Sequence, residues 1–300
     1  MAEPMSRDTA QGQGASPHAW LGRFARTWRD LASDPLAAFG LLLLGTLLFL
    51  AIFGPALAPY GPLRPSPDVF SPPTWAHPFG TDQFGRDTLS RVLQAFRLDI
   101  FIAVVAITAA ALSGLAVGGV AGYIGGRFDD VFMRVIDVIQ SFPMLILAMA
   151  LVAFLGVGLT NVILVTVIVN VAIFARLTRS EVLGKKRLDF IDAARCSGAS
   201  DTRILLRFLL PNIIGPVLVQ ATLSLGWAIL NVAALSFLGI GINPPTPELG
   251  VMVAEGARFL SKGAWWLSVF PGLALVAAVF AFNLVGDVLQ DRLDPRRRNS

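Results

Sequence analysis

Residues 100–126 read IFIAVVAITAAALSGLAVGGVAGYIGG and carry no charge. A helix that crosses the hydrocarbon core of a bilayer needs about 20 consecutive apolar residues, and this stretch is longer than that. Within it Ala106, Ala110, Gly114, Gly118, Gly122 and Gly126 recur at every fourth position. That spacing puts them on one face of a helix. A row of small side chains lets a second helix come close, and dispersion packing then drives association inside lipid. A helix facing only lipid has no use for such a row. The stretch therefore predicts a membrane span buried within a bundle.

The same signature recurs on both sides. Further charge-free runs cover 35–63, 138–175, 208–247 and 263–286. The 300 residues are 55% hydrophobic and 15% charged, with a mean hydropathy of +0.67. Soluble chains carry about 25% charged residues, so this one lacks the charge to cover a water-facing surface. Breakers divide the runs into spans. The first, 36–57, closes at Pro55 and Pro59, and the second covers 100–125. The turn Gly156–Asn161 splits 138–175 into spans 138–155 and 161–176. Pro211 precedes a span at 213–239, which ends at Gly239, Gly241 and Pro244-Pro245-Thr246-Pro247; the last covers 267–288. The fold expected is all-α, a polytopic membrane bundle of about six transmembrane helices.

The domain organisation follows. Residues 1–35 form an N-terminal tail in which Trp20, Phe24 and Trp28, interleaved with Arg23, Arg26 and Arg29, predict an amphipathic helix at the headgroup layer. The first span, 36–57, leads to an outer segment, 58–99. The core, 100–288, holds five spans and a charged loop, 177–212, and a basic tail, 289–300, closes the chain. Of the 24 Lys and Arg, 18 fall on the side of both termini and of the charged loop. The excess of positive charge marks the cytoplasmic side, so both termini are expected inside. Residues 1–20 show no apolar core of a cleavable signal peptide. A single cysteine, Cys196, excludes an intrachain disulfide, and His18 and His77 are too far apart in sequence to suggest a metal site.

The charged loop, with Arg176 before it, reads RLTRSEVLGKKRLDFIDAARCSGASDTRILLRFLLPN through Asn212. Its helical propensity breaks at Gly198, and Ser200 with Asp201 suits the start of a second short helix that stops before Pro211. The small pair Ala193-Ala194 would let the first helix sink into a cleft on a partner, with Asp192 free to meet a partner cation. A helix–turn–helix of this kind suggests docking onto a cytoplasmic protein.

Here the chain resembles the inner-membrane permeases of bacterial ABC importers. Their motif is Glu-Ala-Ala, three residues, Gly, nine residues, Ile, one residue, Leu-Pro. This sequence has Asp192-Ala193-Ala194, Gly198, Phe208 and Leu210-Pro211 at the same intervals, with Asp for Glu and Phe for Ile. The resemblance runs over roughly 35–295 and is specific to the dipeptide/oligopeptide branch, the C-type permease subunit. It is carried also by His77–Asp87 (HPFGTDQFGRD), by Phe237–Gly241 with Pro244–Pro247, and by Phe270-Pro271-Gly272, Ala281–Asp287 and Leu293-Asp294-Pro295. Nickel and glutathione importers share much of the pattern.

The resemblance implies a type I ABC importer permease fold in the bacterial cytoplasmic (inner) membrane, with no cofactor. It implies as partners a second permease, two ATPase subunits and an extracytoplasmic peptide-binding protein. Asp192, Ala193, Ala194, Gly198, Leu210 and Pro211 would meet the ATPase. No phosphate-binding Gly-x4-Gly-Lys-Ser/Thr loop occurs, since Gly184-Lys185 is followed by Lys186, so ATP hydrolysis is expected on separate subunits.

Polar groups at membrane depth are expensive and face a partner or a watery path. The candidates are Asn170, Gln220, Ser224, Asn231, Ser236 and Asn283; in the family the fourth and fifth spans line the translocation path. An interhelical hydrogen bond is the alternative for each. No Asp, Glu, Lys or His stands mid-span, which disfavours an ion-coupled secondary transporter. The outer segment pairs Asp82, Asp87 and Asp99 with Arg86, Arg91 and Arg97. It reads either as a helix lying on the bundle and held by local ion pairs, or as a seat for the binding protein or a gate at the outer mouth.

Overall fold

A computed structural model describes residues 35–293. The amphipathic helix expected before Pro35 and the basic tail lie outside the described residues. The chain folds as a bundle of long helices closed at one end by an irregular cap. Helix α1 (Pro35–Leu57) is apolar all round, as a helix between lipid and protein must be. Ala37, Gly40, Leu47, Ala51 and Gly54 turn inward, while Leu42, Phe49 and Ile52 stay exposed.

Helix α2 (Thr88–Ile124) is the spine. Its 37 residues extend about 55 Å at 1.5 Å per residue, far more than the hydrocarbon core, so its first turns carry charge. The segment expected to lie on the bundle is thus the continuous head of the second span. Its small row packs on α5 (Leu159–Lys185). A Cβ added at Gly114 would lie 2.4 Å from Phe174 Cβ, and one at Gly118 would lie 2.1 Å from the Ala175 carbonyl. Backbone meets backbone there, which only glycine permits.

The third crossing departs from expectation. A single helix over 138–155 is replaced by α3 (Gly126–Ser141) and α4 (Met144–Leu155), bent by 96°. The cause is Pro143, which has no amide hydrogen and forces the preceding residue out of the helical region; Phe142 is extended, at φ −89° and ψ 140°. Helix α3 carries Arg127, Asp129, Asp130, Arg134 and Asp137 and packs on the half of α5 away from the cap, with Ile136 against Ala172 and Ala175. Arg179 of α5 grips Asp129 with two bonds of 2.6 Å. The pair still carries the chain across: beyond α4 the Gly158 N–H donates to the Gly241 carbonyl in the cap, at 3.3 Å.

After α5 come a short helix α6 (Asp189–Cys196) and α7 (Asp201–Phe237). The expected stop before Pro211 does not occur. The helix instead widens to a π-helical turn over Ile204–Leu209, where the Leu210 amide reaches back five residues to the Leu205 carbonyl, and then runs through Pro211. A π turn makes room for a ring that an unbroken α-helix would not tolerate there. The last elements are α8 (Leu249–Ala257) in the cap and α9 (Trp266–Leu293). Counting the bent pair as one, the described residues make six crossings.

The cap joins residues 58–87 to 238–265. Asp82 is its hub: Oδ1 accepts from the amides of Phe84 and Arg86, and Oδ2 from Arg86 Nε at 2.6 Å and Arg91 Nη1 at 2.5 Å. Arg91 Nη2 continues to Glu255 of α8 at 2.9 Å. The local ion pairs foreseen at 77–99 thus form, Asp82 with Arg86 and with Arg91, but they are buried, and Arg91 extends them to a distant partner on α8. Gly85 sits at φ +70° with a virtual Cβ 2.0 Å from the Ser66 carbonyl, so no other residue fits that turn.

Two neighbouring glycines separate the packing contact from general helix preference. Gly118→Ala should destabilise the protein by about 1–3 kcal/mol through overpacking. Gly119→Ala, whose Cβ would find nothing nearer than 3.8 Å, should be neutral or stabilising by up to about 1 kcal/mol, the helix preference of alanine over glycine. Thermal unfolding of both purified variants in detergent checks the contrast; equal melting temperatures would rule out the close approach.

Candidate coupling site and translocation path

Helix α6 is held to the bundle from below by apolar burial. Ile191 and Ala194 join Val182 of α5 and Ile204, Leu209 and Ile213 of α7 in one cluster. The turn that follows is a Schellman motif, the usual way a helix ends on glycine. The Ala199 N–H donates to the Ala194 carbonyl at 3.1 Å and the Gly198 N–H to the Arg195 carbonyl at 2.9 Å, with Gly198 at φ +77°. Ser200 then caps α7, its hydroxyl accepting from the Arg203 amide at 3.4 Å. The predicted helix–turn–helix is thus present, with Ser200 as the cap expected of it.

The six motif residues divide by direction. Asp192, Ala193 and Gly198 are exposed, with Asp192 held 2.9 Å from Arg195 one turn on. Ala194 faces inward as the foot of the helix. Leu210 and Pro211 belong to α7 beyond the π turn, Leu210 packed against the same cluster. A residue that sequence reasoning missed ties this unit to the spine: Tyr123, near the end of α2, donates its hydroxyl to Asp201 Oδ1 at 2.5 Å. Lys186 likewise reaches the Gly122 carbonyl at 2.7 Å. Neither contact has a local signal, since the partners lie far apart in sequence.

The six polar residues of the spans do not form one line. Asn170 of α5 and Asn231 of α7 meet Thr166 and Met144 in a narrow crevice where α4, α5 and α7 converge. Asn170 donates to the Thr166 carbonyl at 2.8 Å and Asn231 to the Trp227 carbonyl at 2.8 Å. Gln220 and Ser224 pair with each other on α7 at 3.2 Å. Asn283 of α9 packs on Gly226 of α7, its Oδ1 3.2 Å from where a Cβ would stand. Ser236 belongs to the cap, where its hydroxyl accepts the Ile242 amide at 3.1 Å.

Ser236 also bonds to Glu248, a buried carboxylate that the sequence reading passed over. Glu248 caps α8 by accepting the amides of Gly250 and Val251 at 3.0 and 2.8 Å. Beside it stands Asp99 of α2, also buried, whose Oδ2 takes the Leu249 amide at 3.2 Å. Neither carboxylate stands mid-span: Asp99 belongs to the charged head of α2 and Glu248 to the cap. Both residues bound uncharged runs, so each reads as a surface charge until the fold joins them. Burial holds the Glu248 carboxyl above the ordinary carboxylate range, against the pull of the two amides and the Ser236 hydroxyl.

Comparison with known proteins decides the lineage. Residues 114–299 match the family described as the binding-protein-dependent transport system inner membrane component. The chain belongs to that family. This ABC importer permease is a multi-pass transport component rather than an enzyme. Its residues 22–73 also match the N-terminal transmembrane domain of oligopeptide transport permease C. It is 39% identical over 280 residues to the di/tripeptide transport system permease protein DppC of Pseudomonas aeruginosa, covering 91% of this chain and 92% of the relative. It is 47% identical over 174 residues to the glutathione transport system permease protein GsiD of Escherichia coli, covering 58% of this chain and 57% of that one. A solved inward-facing form of the MetNI methionine ABC transporter shares the fold, with a TM-score of 0.50 and 19% identity over 65% of this chain and 94% of that one.

The raised Glu248 pKa has a sign. A carboxyl whose folded pKa lies above its unfolded value favours folding fully below the unfolded pKa, and that contribution is lost as pH rises through the folded value. The permease should therefore melt at falling temperatures as pH climbs above the ordinary carboxylate range. Glu248→Gln, which keeps a capping oxygen and cannot ionise, should flatten that slope. Melting curves of the two proteins over rising pH test it, and parallel slopes would refute the assignment.

Proposed function

We propose that this permease carries di- and oligopeptides inward through a path it forms with a second, different permease chain. Two separate ATPase subunits drive it, and an extracytoplasmic peptide-binding protein supplies the substrate. The similarity to peptide permeases along nearly the whole chain supports the substrate class. The glutathione relative supports a second reading, a modified tripeptide as substrate on the same machinery.

In this reading the termini and α6 face the cytoplasm and the cap faces outward, as the Lys and Arg distribution favours. The observation that carries the coupling role is the split of the motif. The buried foot, Ala194 with Ile191, fixes α6 to α5 and α7, and the opposite face, Asp192 and Ala193, is left for a partner. An ATPase pushing on that face moves a unit joined to α2 through Tyr123 and to α7 through the helix that Ser200 starts. Leu210 and Pro211 pass that movement into α7, with Gln220, Ser224 and Asn231 along one face of it. Asn170 stands beside Asn231, Ser236 lies at the outer mouth, and Asn283 supports α7 from α9.

Gly198→Trp tests the coupling. A Cβ at this position meets nothing within 4 Å, so the exchange brings a strained left-handed turn, about 1–2 kcal/mol, and a bulky group at the exposed turn beside the docking face. Peptide uptake into proteoliposomes should fall at least about tenfold while ATP hydrolysis continues. Uptake at the parental rate would overturn the assignment. Isolation of the permease without ATPase or second permease, with transport intact, would overturn the function as a whole.

A further inference from the structure

At the cap end of α7 a cavity of about 140 Å³ opens between that helix, the following loop and α8. Two other crevices, one in the cap beside Arg91 and one between α4, α5 and α7, hold about 10 Å³ each. Its lining is mixed: Phe237, Ile242, Val251 and Phe259 give it an apolar side, and Gln83, Ser236 and Asn243 add uncharged polar groups. Its two charged members, Glu255 and Arg258, stand three residues apart at the end of α8.

The two charges are not each other's partners. Glu255 is held from behind through one oxygen: Arg91 Nη2 lies 2.9 Å from Oε2 and Arg86 Nη2 lies 3.9 Å from the same atom. Oε1 takes no hydrogen bond from the described residues. Arg258 is exposed and pairs with none of the described residues. A fixed carboxylate, an uncommitted guanidinium and an apolar wall thus share one concavity. A half-buried carboxylate and an exposed guanidinium that do not neutralise one another are complementary to a ligand carrying both charges.

We propose that this cavity holds a short peptide by both ends at the outer mouth, its α-ammonium on Glu255 Oε1 and its α-carboxylate on Arg258. The side chain would lie on the apolar wall. The assignment rests on the peptide reading above and names the site where the permease itself meets its substrate. The spacing suits a short chain. Side chains three apart on a helix begin about 5–6 Å from each other, and the charged ends of a dipeptide, joined by one 3.8 Å Cα step, stand about 6 Å apart. Each further residue adds about 3.3–3.6 Å, which two side chains of one helical turn can follow only briefly. Ser236 lines the same cavity from α7, so a peptide released here lies at the head of the helix that carries Asn231, Ser224 and Gln220.

The test uses the permease–ATPase complex in nanodiscs without its binding protein, probed with Ala-Phe and its C-terminal amide by saturation-transfer NMR. Ala-Phe should bind, and both the amide and the Arg258→Gln variant should weaken it about tenfold, the worth of one charge-assisted hydrogen bond. In Arg258→Gln the acid and the amide should bind alike; Glu255→Gln should likewise erase the preference for Ala-Phe over its N-acetyl form. An unchanged acid–amide preference in Arg258→Gln overturns the site, as does weakened capture of the binding protein with that preference intact. Uptake of Ala-Phe by the complete wild-type system separates the two levels. Uptake without a binding signal discards the cavity alone, whereas no uptake of any dipeptide discards the peptide reading beneath it.

Discussion

The approach of α2 to α5 over Gly114, Gly118 and Gly122 sets the geometry of the bundle. Water supplies no hydrophobic drive between helices already in lipid, so close packing must supply the association. At Gly114 and Gly118 a side chain would overlap the neighbour, and at Gly122 it would press on the Arg179 backbone at 3.1 Å. Once the two helices are locked, α2 projects its charged head into the cap and delivers Tyr123 and Gly122 to the opposite end. The cap network of Asp82, Arg91 and Glu255 and the contact from Tyr123 to Asp201 are thus two ends of one rod. Breaking a buried ion pair on one side costs about 3–5 kcal/mol, so the cap is also what keeps that rod anchored.

Much of this was legible in the sequence because it depends on local pattern. The four-residue glycine row reports a helix face whatever lies opposite it. The helix–turn–helix was visible because capping is chemistry between residues a few positions apart: Gly198 needs a positive φ and Ser200 needs free amides. The polar stretch after Gly80 announced the ion pairs of Asp82, though not the further partner Glu255, which lies 164 residues from Arg91.

The misreadings share a cause. Pro143 sits in an uncharged run and Pro211 at the edge of one, and hydropathy cannot tell which proline breaks a helix and which is absorbed. Pro143 breaks because Phe142 turns extended. Pro211 is absorbed because the preceding turn widens. Asp99 and Glu248 were invisible as a pair because burial of a charge is a property of the folded neighbourhood. The polar residues of the spans were correctly singled out as expensive, but only the fold shows that Asn170 and Asn231 converge while Ser236 and Asn283 serve elsewhere.

The break at Phe142–Pro143 has a consequence for how the molecule sits in its bilayer. Helix α4 has 12 residues and so reaches only about 18 Å, against a hydrocarbon thickness of about 30 Å. At least one of its ends must therefore lie at a depth where lipid offers no hydrogen bond, and irregular backbone there is stable only against protein or water. The bundle consequently has two unlike flanks. The exposed face of α1 can be wetted by acyl chains, whereas the side carrying α4 must be screened from them. A molecule that looks evenly greasy by composition is thus polarised around its circumference, and a single proline sets the direction.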